Sequence, residues 1–282
     1  MVTIAELLSR GLRYLEGTSP SPRLDSEILL RHALACPRSH LIAHPEEVVP
    51  RTLAWRYARQ LCQRRKGVPI AYLTGEREFW SLRLRVDPAT LIPRPETEDL
   101  VALALSFIPS NAEWRVADLG TGSGAIALAV ATERPYCEVV AVDSSANALA
   151  VARQNAKDHD VRNISFLASD WFKALHGESF DLVLANPPYI ADGDPRLEAE
   201  VLDYEPFQAL IAGETGFEAL ERIAEDALCH LAAGGYLIME HGPGQSARLV
   251  EFLGSLGYHS VASHHDLNGH DRIIQGQIIR NR

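Results

Sequence analysis

The chain has 282 residues, 46% of them hydrophobic and 23% charged, enough for one large core and a smaller one beside it. No apolar run approaches the ~20 residues that cross a bilayer, and Met1-Val2-Thr3-Ile4-Ala5-Glu6 lacks the basic-then-apolar pattern of a secretory signal, so a cytoplasmic protein without membrane contact is expected. The net charge of −10 is divided unevenly, with 15 Lys and Arg against 9 Asp and Glu in residues 1–95 and 12 against 28 in residues 96–282, an acidic major part that argues against direct nucleic-acid binding through phosphate contacts.

Ile4, Leu7, Leu8, Leu12 and Leu15 recur at helical spacing and predict a helix over ~3–16. Ser21-Pro22 places a capping residue before a proline at the first helical position and starts a second helix through Leu24, Ile28, Leu29 and Leu34. A third helix is expected from about Arg51 to Lys66, ending at Gly67. With no strand signal before residue ~76, residues 1–75 read as a small helical bundle. Its net positive charge suits an acidic partner or a solvated surface, and charge alone does not choose between them.

Phe79–Val86 alternates and is rich in strand formers. With Asp87-Pro88-Ala89-Thr90 as a turn and Leu91–Pro95 following, residues 76–95 read as a β-hairpin linker. Phe79 and Trp80 are expected to pack at the domain junction. Glu96-Thr97-Glu98-Asp99 opens a helix with acids in its first turn, favourable to the helix dipole. Beyond it, apolar strands at Val116–Leu119, Val139–Val142, Ile164–Leu167, Leu182–Ala185 and Tyr236–Glu240 alternate with helices, and two strand-like segments, His259–Ala262 and Arg272–Ile279, close the chain. Residues 96–282 therefore predict an α/β domain with a parallel sheet wound on both faces. The four cysteines, Cys36, Cys62, Cys137 and Cys229, form no CxxC pair and read as reduced thiols rather than a metal site.

The first strand of that domain runs into Gly120-Thr121-Gly122-Ser123-Gly124, and Ala125 starts a helix. Glycines let the backbone turn sharply and admit a ligand without Cβ clashes. The second strand ends in Asp143, placed to accept hydrogen bonds from ribose hydroxyls. The spacing G-x-G-x-G fits several nucleotide cofactors and departs from the G-x-G-x-x-G of dinucleotide sites. Trp171, just past the third strand, stands where an adenine ring would stack. The fourth strand, Phe180–Ala185, stops at Asn186-Pro187-Pro188-Tyr189, because two adjacent prolines have no N–H to continue a ladder. Its tip carries an amide side chain, free carbonyls and an aromatic ring at the sheet edge where ligands bind in such folds. An Asn oxygen and a Pro carbonyl there can accept both hydrogens of one planar –NH2 group.

Together the glycine loop, Asp143 and Asn186–Tyr189 resemble class I (Rossmann-like) S-adenosylmethionine-dependent methyltransferases that methylate nitrogen, whose tetrapeptide is (Asn/Asp)-Pro-Pro-(Tyr/Phe). Gly75–Trp80, Leu91–Glu98, Ser169–Phe172 and Glu240-His241-Gly242 narrow the resemblance to the peptide chain release factor glutamine N5-methyltransferase family, over essentially the whole chain. The resemblance implies methyl transfer from S-adenosylmethionine to the glutamine amide in the Gly-Gly-Gln loop of bacterial class 1 release factors. It implies Gly120, Thr121, Gly122, Ser123, Gly124, Asp143, Trp171 and Asn186 as donor contacts. It also implies Asn186, Pro187, Pro188 and Tyr189 as the substrate site, with Asn186, Pro187 and Tyr189 holding the reacting amide. The N-terminal helical domain is then expected to help bind the release factor, and Pro93–Thr97 to approach the methionine end of the donor. A monomer is expected, with no metal, and His241 as a structural residue. The competing readings are an adenine-N6 methyltransferase acting on nucleic acid, which needs a basic groove that the acidic domain lacks, a non-catalytic nucleotide-binding adaptor and a dehydrogenase.

Overall fold

The computed structural model describes residues 2–194, 203–266 and 269–279. The chain divides into two compact units, Met1–Glu76 and Arg77–Arg282.

The first unit contains β1 (Val2–Thr3), α1 (Ile4–Leu15), α2 (Pro22–Leu34), α3 (Arg38–Ala43), β2 (Val48–Val49), α4 (Arg51–Arg65) and α5 (Ile70–Thr74). Thr3 and Glu6 form a reciprocal capping box that starts α1. Ser21 does not cap α2 through its side chain; its hydroxyl instead donates to Asp25 at 3.0 Å. The three long helices match the expected ones. The pairing of Val2 with Val49 and Thr3 with Val48 does not: a two-residue strand is too short to show a period, so the absence of a strand signal before residue 76 misled. Ile4, Leu15, Leu29, Leu30 and Tyr57 are fully buried between these helices. Buried Asp25 pairs with Arg64 at 2.6 Å, joining α2 to α4.

The hairpin of β3 (Glu76–Phe79) and β4 (Leu82–Arg85) is shorter than the expected 76–95. Its turn lies at Trp80-Ser81, both with positive φ (50° and 61°), the geometry of a two-residue hairpin turn. Asp87–Thr90 is a separate loop, and residues 86–96 are not strand. Phe79 and Leu84 are buried in the core of the second unit.

That unit continues with α6 (Thr97–Phe107), β5 (Arg115–Leu119), α7 (Ala125–Glu133), β6 (Glu138–Asp143), α8 (Ala146–Asp158), β7 (Ile164–Ala168), β8 (Phe180–Ala185), β9 (Ile190–Ala191), α9 (Phe207–Leu210), β10 (Ile211–Gly213), α10 (Glu218–His230), β11 (Leu231–Glu240), α11 (Ser246–Ser255), β12 (His259–His265) and β13 (Asp271–Gln277). Seven strands form one sheet in the order β12-β13-β11-β8-β5-β6-β7. β11, β8, β5, β6 and β7 are parallel, whereas β13 runs antiparallel to both β11 and β12. The parallel sheet expected from the strand–helix alternation is present in these five strands, and it departs from parallel at one edge, where no helix separates β12 from β13 and the short connection reverses direction.

Strand alternation distributes the core. Leu182, Leu184, Val116, Val139 and Ile238 pack against α6 and α7 on one face. Val183, Ala185, Ala117, Leu119, Val140, Leu237 and Met239 pack against α10 and α11 on the other. This is why the central strands read as continuous apolar runs. The chain proceeds outward from β5 to β6 and β7, then returns to place β8 on the other side of β5. The order reverses there, and the crevice beyond the carboxyl ends of β5 and β8 is where such sheets bind ligands.

Candidate active site

Strand register brings the motifs together. Leu119 pairs with Ala185, and Ala185 with Met239, so Gly120 and Asn186, just past β5 and β8, stand at the same edge as Glu240, the last residue of β11. A cavity of about 310 Å³ opens at this edge, a size suited to a small-molecule ligand. Of the sequence-predicted residues, Gly120, Gly122, Asp143, Trp171, Asn186 and Pro188 line it, together with Thr90, Leu91, Ser169, Asp170 and Gln208.

Gly120 has φ of 73°, and a Cβ there would stand 3.2 Å from the Trp171 ring. Trp171 itself has φ of 52°, an uncommon conformation for a bulky residue. The Ser169 hydroxyl donates to the Trp171 carbonyl at 2.6 Å and accepts from Ala174 N–H at 3.0 Å, holding the turn. Asp143 accepts the Gly122 and Ser145 N–H groups, and burial raises its pKa despite these bonds. Asp118, fully buried at the end of β5, accepts from Thr121 Oγ1 at 2.6 Å and Ala127 N at 3.2 Å, while its Oδ1 has no partner. Burial pushes its pKa up to about 7.

Thr121 and Ser123 are buried and do not line the cavity. Thr121 serves Asp118, and the Ser123 carbonyl accepts from Asn155 Nδ2 at 2.8 Å. Gly124 allows close packing of α7 on α8, since a Cβ there would meet Ala152 at 3.2 Å. One cavity wall is braced by buried Glu205, which accepts from Ile92 N and Arg94 Nη2 and so ties the loop after β4 to the segment before α9.

Asn186 Nδ2 donates to Glu240 Oε2 at 2.9 Å and to Thr97 Oγ1 at 3.1 Å. The Thr97 hydroxyl donates to the same Glu240 oxygen at 2.7 Å, and the Tyr189 hydroxyl donates to Glu240 Oε1 at 3.2 Å. Glu240 is 2% exposed. Burial raises its pKa, opposed by the bonds from Thr97 and Tyr189 and by the Arg272 charge. The Asn186 Nδ2 is thus engaged on the protein side by both Glu240 and Thr97, leaving Oδ1 as the amide's acceptor. Pro187 is buried. Tyr189 lines a second cavity of about 440 Å³ with Phe217, Gly242, Gln245 and Arg272, rather than the first.

Thr97, expected only as part of a segment near the methionine end of the donor, instead bonds Asn186 and Glu240, and no role was expected of Glu240. An acid closing an otherwise apolar strand, one register step from Asn186, was the available signal. His241 is fully buried, with Nδ1 2.9 Å from the Gly242 carbonyl, and burial lowers its pKa.

The donor set fits a nucleoside-bearing ligand. It offers an acid at the end of β6, an aromatic ring over a glycine turn, and open space where a Gly122 side chain would lie. In the same chain, residues 99–202 match the model of the methyltransferase small domain and residues 6–75 that of the PrmC N-terminal domain. A release factor glutamine methyltransferase of Xylella fastidiosa is 46% identical over 255 residues, 90% of this chain and 93% of its own. One of Escherichia coli K12 is 44% identical over 259 residues, 92% and 93% of the two chains. The crystal structure of a methyltransferase from Pyrococcus furiosus superposes with a TM-score of 0.54 at 17% identity, covering 79% of this chain and 98% of that one, a likeness of fold. With two relatives this similar along nine-tenths of their length, the chain belongs to the release factor glutamine methyltransferase family.

Proposed function

We propose that this chain transfers a methyl group from S-adenosylmethionine to N5 of the glutamine in the Gly-Gly-Gln loop of bacterial class 1 peptide chain release factors. The observation that carries this reading is the fixed Asn186 amide. Its Nδ2 donates to Glu240 and Thr97, which leaves Oδ1 as the acceptor that this cavity-lining residue can offer.

A carboxamide nitrogen is a weak nucleophile because its lone pair is delocalised into the carbonyl. The protein therefore has to supply position and field. Asn186 Oδ1 and the Pro187 backbone carbonyl each accept one hydrogen of the substrate –NH2, fixing its plane. Their partial negative charges lie where positive charge develops on nitrogen. Aligning the reacting atoms at ~3–3.5 Å is worth ~7–11 kcal/mol of barrier. Two acceptors facing the substrate also reject a glutamate carboxylate, which has no hydrogens to offer. No side-chain base is needed before attack, because the nitrogen sheds its proton after it has been alkylated.

S-adenosylmethionine supplies an electrophilic methyl group on a sulfonium. Asp143 would hold its ribose and Trp171 would stack on its adenine, while Gly120 and Gly122, the loop residues that line the cavity, would leave its chain room to pass. Pro188 borders the same cavity, and Tyr189 is held by Glu240 beside the substrate position. The helical unit at residues 1–75, with its excess of Arg and Lys, contacts the release factor, and residues 96–282 form the catalytic domain. The protein acts as a cytoplasmic monomer and does not bind nucleic acid directly.

The test is mass spectrometry of a release factor after incubation with the protein and S-adenosylmethionine, with DNA and RNA offered in parallel. One glutamine of the release factor should gain one methyl group. Methyl transfer to adenine instead would overturn the reading.

A further inference from the structure

We infer that Glu240 is a positioning residue whose carboxylate, with the Thr97 hydroxyl, locks the Asn186 carboxamide with its oxygen toward the substrate. The inference deepens the proposed reaction and rests on that reading for its consequence, but not for its geometry. A free Asn side chain presents oxygen or nitrogen with equal ease, and a site that must accept two hydrogens fails when nitrogen faces inward. Rotating the Asn186 amide by half a turn would place Oδ1 against Glu240 Oε2, acceptor against acceptor. The structure holds the other orientation, with Nδ2 2.9 Å from that oxygen and 3.1 Å from Thr97 Oγ1.

The three side chains come from distant parts of the chain. Thr97 starts α6, Asn186 follows β8 and Glu240 ends β11. Parallel register sets Glu240 beside Asn186. Alternation turns it to the face that carries Ile238 and α6, where Thr97 waits. Glu240 is 2% and Thr97 4% exposed, so water cannot replace the lost partner of either. An unpartnered buried acid is costly, and this one has three hydrogen-bond donors converging on it, Asn186, Thr97 and Tyr189.

The experiment pairs a methyl-transfer assay with side-chain amide NMR of 15N-labelled protein, the Asn186 signals being identified by their loss in Asn186→Ala. In the wild type, the Nδ2 protons should exchange with solvent slowly. Glu240→Met keeps the bulk and removes the acceptor. Its amide exchange should quicken and its kcat should fall, each by about tenfold or more, with S-adenosylmethionine affinity within about threefold. Glu240→Gln offers one carbonyl to Asn186 and Thr97 and should restore both readouts toward wild type. Should Glu240→Met fail to fold, Thr97→Val and its rescue by Thr97→Ser carry the same comparison. Wild-type exchange and kcat in a folded Glu240→Met variant overturn the lock, as does a Gln variant as impaired as Met. If the wild type methylates no release factor, the proposed function falls, and the exchange rates alone still decide whether Glu240 locks Asn186.

Discussion

The Gly122 N–H donates to Asp143 Oδ2 at 2.9 Å, so the acid that ends β6 and the glycine turn that follows β5 hold each other in place. The other carboxylate oxygen accepts from Ser145 N at 2.8 Å. The carboxylate lines the cavity and, as an acceptor with two oxygens, can receive a ribose hydroxyl there. Asp143→Ala should therefore weaken S-adenosylmethionine binding twice over, by losing the ribose acceptor and by loosening the loop. Hydrogen bonds to a charged group contribute about 1.5–3 kcal/mol, which corresponds to a rise in Kd of about tenfold to a hundredfold. Isothermal titration reads this directly, and an unchanged affinity would remove Asp143 from the donor site.

Asn186→Ala separates holding the substrate from binding the donor. Losing one preorganised polar partner of the reacting group costs about 10²–10³ in turnover. Asn186 also lines the donor cavity, so S-adenosylmethionine affinity should fall modestly and survive. Turnover near the wild-type value, measured on intact release factor, would end the amide-holding role.

The fold was legible wherever a period was long enough to read. The five parallel strands, the glycine turn after β5 and the proline stop after β8 all stood in the sequence. The two-residue pair Val2–Thr3 and Val48–Val49 did not, and neither did the reversal at β13, because apolar alternation carries no direction. The expected hairpin is too long because Asp87-Pro88 is a stronger turn signal than Trp80-Ser81, neither of which is a glycine or asparagine that would announce the positive φ both adopt. In the site, Gly120, Asp143, Trp171 and Asn186 were legible as local motifs. Thr97 and Glu240 join Asn186 from 89 and 54 residues away in sequence, and such a meeting depends on sheet register, which a single sequence does not spell out.

Asp118 gives a pH dependence with a definite sign. Its pKa is pushed up to about 7 in the folded chain by burial, against ~3.9 in an unfolded one. The fold therefore retains a proton that the unfolded chain has released. The associated stability is fully present below pH ~4 and is lost as pH rises through about 7. In the ligand-free protein, the urea midpoint of the wild type should fall relative to that of Asp118→Asn between pH ~5 and ~8. The Asn variant can keep an acceptor for Thr121 and Ala127 while carrying no charge. A difference in midpoint that does not move with pH would show that Asp118 titrates normally.

Gly11 supplies a test of packing in the N-terminal unit, because its expected effect has the sign opposite to helix propensity. In an exposed helix, Gly→Ala stabilises by about 1 kcal/mol. Gly11 lies inside α1, and a Cβ there would fall 1.9 Å from Tyr57 Oη and 2.5 Å from Ser26 Oγ. Those two hydroxyls are 2.7 Å apart, and Tyr57 also reaches the Leu7 carbonyl at 3.3 Å, so the pair fills the gap where α1 crosses α2 and α4. Tyr57 is 1% exposed and cannot swing into solvent without vacating the core. The added methyl has to push the helices apart or break the buried hydroxyl pair, and overpacking of this kind costs about 1–3 kcal/mol. Gly11→Ala should accordingly lower the unfolding midpoint followed by circular dichroism. Tyr57→Phe in the same background should recover part of the loss by removing the atom nearest the new Cβ. A Gly11→Ala protein more stable than the wild type would mean that α1 does not approach α4 this closely.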